Sequence, residues 1–87
     1  MRGNSLMFKR AVLLQLEAAF PAALPPQTIL DGLKISGFEA DAETLAGVLE
    51  YLRQKGLVEL KTSRISASSR RAALTSAGAD YLESGDF

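Results

Sequence analysis

Residues 49–60 read Leu-Glu-Tyr-Leu-Arg-Gln-Lys-Gly-Leu-Val-Glu-Leu, and this stretch decides the fold. Leu45, Val48, Leu49 and Leu52 recur at i, i+3, i+4 and i+7, the spacing that gathers apolar side chains on one helix face. Asp41 stands where that helix needs an N-cap acceptor. Gly56 stands where its end needs left-handed backbone, and Leu57 or Val58 can close the apolar contact beyond it. Val58 and Leu60 then alternate with Glu59 and Lys61, the period of a half-buried strand. The pattern predicts a helix that turns at one glycine directly into a strand.

Toward the C-terminus, residues 62–69 read Thr-Ser-Arg-Ile-Ser-Ala-Ser-Ser, with four serines and little to bury. That composition predicts a loop, followed by a returning strand through Arg71, Ala72, Ala73 and Leu74. In Leu74-Thr75-Ser76-Ala77-Gly78-Ala79-Asp80-Tyr81-Leu82 the strand end runs into a short helix. Thr75 or Ser76 is its cap, and it carries Tyr81 and Leu82. Residues 84–87 are expected to fray.

Toward the N-terminus, Pro25 and Pro26 suit the start of a helix, where an amide hydrogen has no partner to lose. That helix should run to about Ile35, point Ile29, Leu30 and Leu33 inward, and stop at Gly37. Gly32 within it costs up to about 1 kcal/mol against alanine, which predicts close packing. Ala22, Ala23 and Leu24 can form a short edge strand. Before them, Ser5 can cap a helix from about Leu6 to Ala19 that Pro21 ends. Leu6, Leu13, Leu16 and Phe20 make one apolar stripe of this helix, and Met7, Ala11, Leu14 and Ala18 a second. A surface helix normally has one such stripe. Either this is a central core helix, or its second stripe packs against a partner chain, most simply as an isologous homodimer.

Eighty-seven residues fit one domain, 1–87 with its core over about 6–83. Neither repeat nor second domain is visible. An apolar fraction of 47% excludes a disordered chain. The absence of cysteine and histidine removes disulfides, thiolate nucleophiles and the commonest general base and metal ligand, so an enzyme is not expected. Arg2, Lys9 and Arg10 before Ala11-Val12-Leu13-Leu14 faintly imitate a secretion signal, but Gln15 and Glu17 interrupt the run. A cytoplasmic protein is expected, without a membrane span. Glu39, Asp41 and Glu43 are better explained by a helix N-terminus than by a metal. Ser5 and Lys9 lack the oxyanion hole a catalytic dyad needs. No cofactor is expected; Tyr51 and Tyr81 read as packing residues, and the glycines as scattered caps and turns.

The order is helix, short strand, helix, helix, two-stranded hairpin and closing helix. With Leu-Arg-Gln-Lys-Gly-Leu-Val at 52–58 and the segment at 74–82, the chain resembles the winged helix-turn-helix regulators of bacteria and phages. The resemblance covers about residues 6–83. It implies a mainly α fold with a small β-hairpin: a three-helix bundle, a two- to three-stranded antiparallel wing and a short C-terminal helix. It also implies double-stranded DNA as partner, with a recognition helix at about Ala42–Lys55 and a wing at about Lys61–Arg71.

Lys61, Arg64, Arg70 and Arg71 suit phosphate contact, and no acidic residue lies between Leu60 and Ala79. Gln27, Thr28 and Lys34 could hold backbone phosphates, while Thr44, Arg53 and Gln54 stand on or beside the outward face of the recognition helix. That face is also expected to carry Glu43, Gly47 and Glu50, and two carboxylates face a polyanion poorly, although glutamate can accept from cytosine N4. A zero net charge means that any DNA site is a local patch. The alternative is a winged-helix protein–protein interaction module without DNA binding.

Overall fold

The computed structural model describes residues 2–62 and 70–84, with side chains described for 6–61 and 70–84. Six elements follow one another: α1 (Arg2–Ala19), α2 (Pro26–Ile35), α3 (Ala42–Gln54), β1 (Val58–Thr62), β2 (Arg70–Leu74) and α4 (Ser76–Ser84).

The helix ends form as the sequence implies. Asp41 accepts a hydrogen bond from the Thr44 amide at 2.7 Å. At the far end of α3, Gly56 adopts φ 78° and donates to Arg53 O, while Leu57 N donates to Leu52 O at 3.0 Å. This double closure satisfies two orphan carbonyls and folds Leu57 back toward Leu52. The end of α2 repeats it: Gly37, at φ 93°, donates to Lys34 O and Phe38 N to Leu33 O.

The first helix departs from expectation at both ends of its apolar face. It begins at Arg2, so Ser5 lies inside it rather than capping it. No proline precedes Ser5 to stop the helix, and each added residue gains one backbone bond. Its buried face is Val12, Leu13 and Leu16, flanked by Phe8 and Ala11. Leu6 and Phe20, assigned to the first stripe, are 45% and 44% exposed. Val12 and Phe8 turn the inward face away from them. Met7 and Leu14 are exposed as well.

The core gathers that face with Ile29 and Leu33 of α2, Leu45, Leu49 and Leu52 of α3, Val58 of β1, and Ala72 and Leu74 of β2. Leu30 and Val48 pack at its edge. Gln15 donates from Nε2 to Ile29 O at 3.0 Å, and its side chain lies where a Cβ on Gly32 would project. The glycine in α2 is there to admit that glutamine. Gly78 is buried inside α4 against Leu57 O and Leu74, a packing role rather than a cap or turn.

β1 and β2 pair antiparallel, Val58 opposite Leu74, Leu60 opposite Ala72, Lys61 opposite Arg71 and Thr62 opposite Arg70. Leu24 joins the other side of Ala72 through two backbone bonds of 2.8 and 2.9 Å. The expected edge strand is thus a single bridge. Thr75 caps α4: its Oγ1 accepts from Gly78 N at 3.0 Å and donates to Gly56 O at 2.7 Å.

Candidate nucleic-acid interface

The start of α2, the first half of α3 and the hairpin meet around a groove of about 350 Å³. Pro26 lines it from α2, Ala42, Glu43, Ala46 and Leu49 from α3, and Leu60 and Arg70 from the hairpin. The hairpin register explains why Arg70 is there. Directly opposed residues of an antiparallel pair share a face, and neighbours along a strand alternate. Arg70 therefore leaves β2 on the face of Leu60 and Ala72, toward α3. Lys61 and Arg71 are cross-strand partners on the opposite face, with Glu59 beside them. Lys61 Nζ lies 3.9 Å from a Glu59 carboxylate oxygen. The cations of the wing are divided between two faces, which composition could not show. Arg64 lies outside the described residues.

On α3, Thr44, Arg53 and Gln54 are exposed, as are Glu43 and Gly47. Glu50 is half-covered because Arg53 and Gln54 converge on it. Arg53 donates from Nε to Glu50 Oε1 at 3.0 Å and from Nη2 to Oε2, and Gln54 Nε2 donates to Oε2 at 3.2 Å. These bonds from Arg53, then Gln54, lower the Glu50 pKa from its ordinary 4.5 to about 2, with smaller help from the charges of Arg53 and Arg70. The same bonds raise the Arg53 pKa. Asp41 is lowered too, first by the Thr44 amide it accepts from. Two of the acids that count against a DNA-facing helix are thus committed, Asp41 to a helix start and Glu50 to an internal fork.

On α2, Gln27, Thr28 and Lys34 are exposed. Gln27 spends a donor on Asp31 at 2.9 Å. Gln27, Asp31 and Lys34 share a face by helical spacing, so this row of candidate phosphate contacts also carries an acid. Tyr51 is exposed rather than packed: Lys9 Nζ sits 4.1 Å from its ring centroid and Lys55 Nζ 5.5 Å. Tyr81 does pack at the edge of the core. Among the described residues no three acidic side chains are grouped to hold a metal. No helix among them is long and apolar enough to cross a membrane.

No family model matches the sequence, and neither does any curated protein. Solved structures do. BpsR of Bordetella bronchiseptica, whose DNA binding is regulated by 6-hydroxynicotinic acid, superposes with a TM-score of 0.74 at 19% identity, over 88% of this chain and 53% of that one. A MepR mutant of S. aureus bound to an oligodeoxyribonucleotide gives 0.72 at 20% identity, over 87% and 51%. The transcriptional regulator PcaV of Streptomyces coelicolor, in complex with its natural ligand, gives 0.69 at 24%, over 86% and 48%. The chain spans about half the length of these proteins. What it shares with them at such identities is the arrangement of three helices, hairpin and closing helix, and the chain accordingly has the winged helix-turn-helix fold.

Proposed function

We propose that the chain is a DNA-binding module of transcriptional regulator type and not an enzyme. In this reading α3 enters the major groove of a duplex while the hairpin lies along its backbone. The observation that carries it is the convergence of Arg70 with Glu43 and Ala46 of α3 on one groove, with the charge of Glu50 on the same helix already countered by Arg53. Lys61, Arg70 and Arg71, with Arg64 between them in sequence, supply phosphate contacts from the wing. Gln27, Thr28 and Lys34 supply them from α2, and Thr44, Arg53 and Gln54 face the bases. The DNA-related roles of BpsR, PcaV and MepR support this reading over a protein-only module.

The test is a fluorescence anisotropy titration against a mixed duplex pool at several salt concentrations. With three or four cations neutralising phosphates, log K should fall against log salt with a slope of about −3 to −4 per subunit. Absence of duplex binding at low salt, or a salt-independent affinity, overturns the reading.

The functional unit of this proposal is a cytoplasmic homodimer. Met7 and Leu14 of the second stripe, one helical repeat apart on α1, are left exposed by the core. A second copy packed there would suit paired half-sites. Light scattering at micromolar concentration that shows only the 9.3 kDa species removes the dimer.

A further inference from the structure

The fork between Glu50 and Arg53 has a geometry that a plain surface ion pair does not require. Arg53 uses its Nε edge, with Nε to one carboxylate oxygen and Nη2 to the other, and Gln54 closes on the second oxygen from the next turn. A guanidinium has five N–H donors in a rigid plane. Two are used here. The end-on edge, with one parallel hydrogen each on Nη1 and Nη2, donates to no partner among the described residues, and the side chain is half-exposed. Two parallel donors at that spacing are what guanine O6 and N7 accept in the major groove.

We propose that Arg53 is the guanine-reading residue of α3 and that Glu50, with Gln54, is a positioning group that fixes its free edge before DNA arrives. This rests on the DNA-binding reading given above. A carboxylate on a helix facing a polyanion is unfavourable by itself. Here it restrains a long side chain that would otherwise lose rotamer freedom on binding. The charge of Arg70 on the hairpin acts on the same carboxylate as the smallest of the causes that lower its pKa.

The experiment begins by selecting a preferred duplex from a randomised pool with the 87-residue protein. Affinity is then measured for that duplex, for versions with each guanine replaced singly by 7-deazaguanine, which lacks the N7 acceptor, and for an unrelated duplex. One replacement should weaken wild-type binding severalfold. It should not weaken Arg53→Ala further, since alanine has no donor for N7. Glu50→Gln should flatten the guanine-to-deazaguanine difference at that position while binding the unrelated duplex as tightly or more tightly. The proposal is overturned if no single deazaguanine matters to the wild type, or if Glu50→Gln keeps the full difference. Failure of the wild type to bind any duplex at low salt would instead remove the DNA-binding reading, and this proposal with it.

Discussion

Arg70 and Arg71 are neighbours in β2 and leave it on opposite faces of the hairpin. Arg70 lies over the groove beside α3, whereas Arg71 stands across from Lys61 on the outer face. A duplex cannot meet the two in the same way.

Single alanine substitutions should separate them. Arg70→Ala and Arg71→Ala are each expected to weaken duplex binding on unrelated sequences and to reduce the magnitude of the salt slope by about 1. Of the two, only Arg70→Ala should also let the Glu50 pKa rise, because the charge of Arg70, and not that of Arg71, is among the causes that lower it. Anisotropy over a salt series, with carboxyl NMR on both variants, reads the two effects. Unchanged slopes would take the hairpin out of the interface.

Glu50 gives a pH prediction with a definite sign. Its folded pKa is depressed from 4.5 to about 2, chiefly by the bonds from Arg53 and Gln54. The stabilisation from the fork is therefore present above the unfolded value and lost as pH falls through that interval. The pair is exposed, so its share of stability is small and screened by salt. A carboxyl titration should find Glu50 among the last side chains to protonate, and Arg53→Ala should return it toward its ordinary range. A wild-type midpoint near 4.5 would mean that the fork does not persist in solution.

Two glycines should respond to alanine with opposite signs. Gly78→Ala would drive a Cβ into Leu57 O and the Leu74 side chain, and overpacking of this kind destabilises by about 1–3 kcal/mol. At Gly47 nothing lies within 4 Å of the added carbon, so alanine should stabilise α3 by about 0.5–1 kcal/mol. Urea melts of both variants decide the matter, and equal shifts would contradict the packing described around Gly78.

Thr75→Val keeps the shape and removes both bonds of the hydroxyl, the cap on Gly78 N and the donation to Gly56 O. The expected loss is about 1 kcal/mol or somewhat more, roughly 4–8 °C in Tm for a domain of this size. A thermal melt indistinguishable from wild type would show that water replaces both contacts.

Much of the fold is legible because its signals are local. Asp41, Gly37 and Gly56 act within one turn of themselves, and the leucines of α3 repeat at helical spacing, so the boundaries of α2 and α3 follow from sequence alone. The face of α1 does not, because apolar residues surround it and only packing selects Val12 over Leu6 and Phe20. Gly32 could be suspected of close packing, but its partner Gln15 is seventeen positions away. For the candidate interface, residue type pointed to Lys61, Arg70, Arg71, Arg53 and Gln54. Strand alternation by itself sends the neighbours Arg70 and Arg71 to opposite faces once β2 is known to include both, but placing Lys61 beside Arg71 needs the register, which depends on which residues of β1 and β2 face the core. The commitment of Glu50 to Arg53 had a signal in the i, i+3 spacing.

The bonds of Thr75 to Gly56 O and Leu57 O, at 2.7 and 3.1 Å, tie the last residue before α4 to the end of α3. Both legs of the hairpin are stitched together at the point where the helix leaves off. Helix and wing thus behave as two jaws of one caliper whose opening is set in the free protein. In the DNA-binding reading, a duplex that fits one jaw would have to present its backbone at the distance the other already holds, so the width and bend of the double helix would be measured along with its bases.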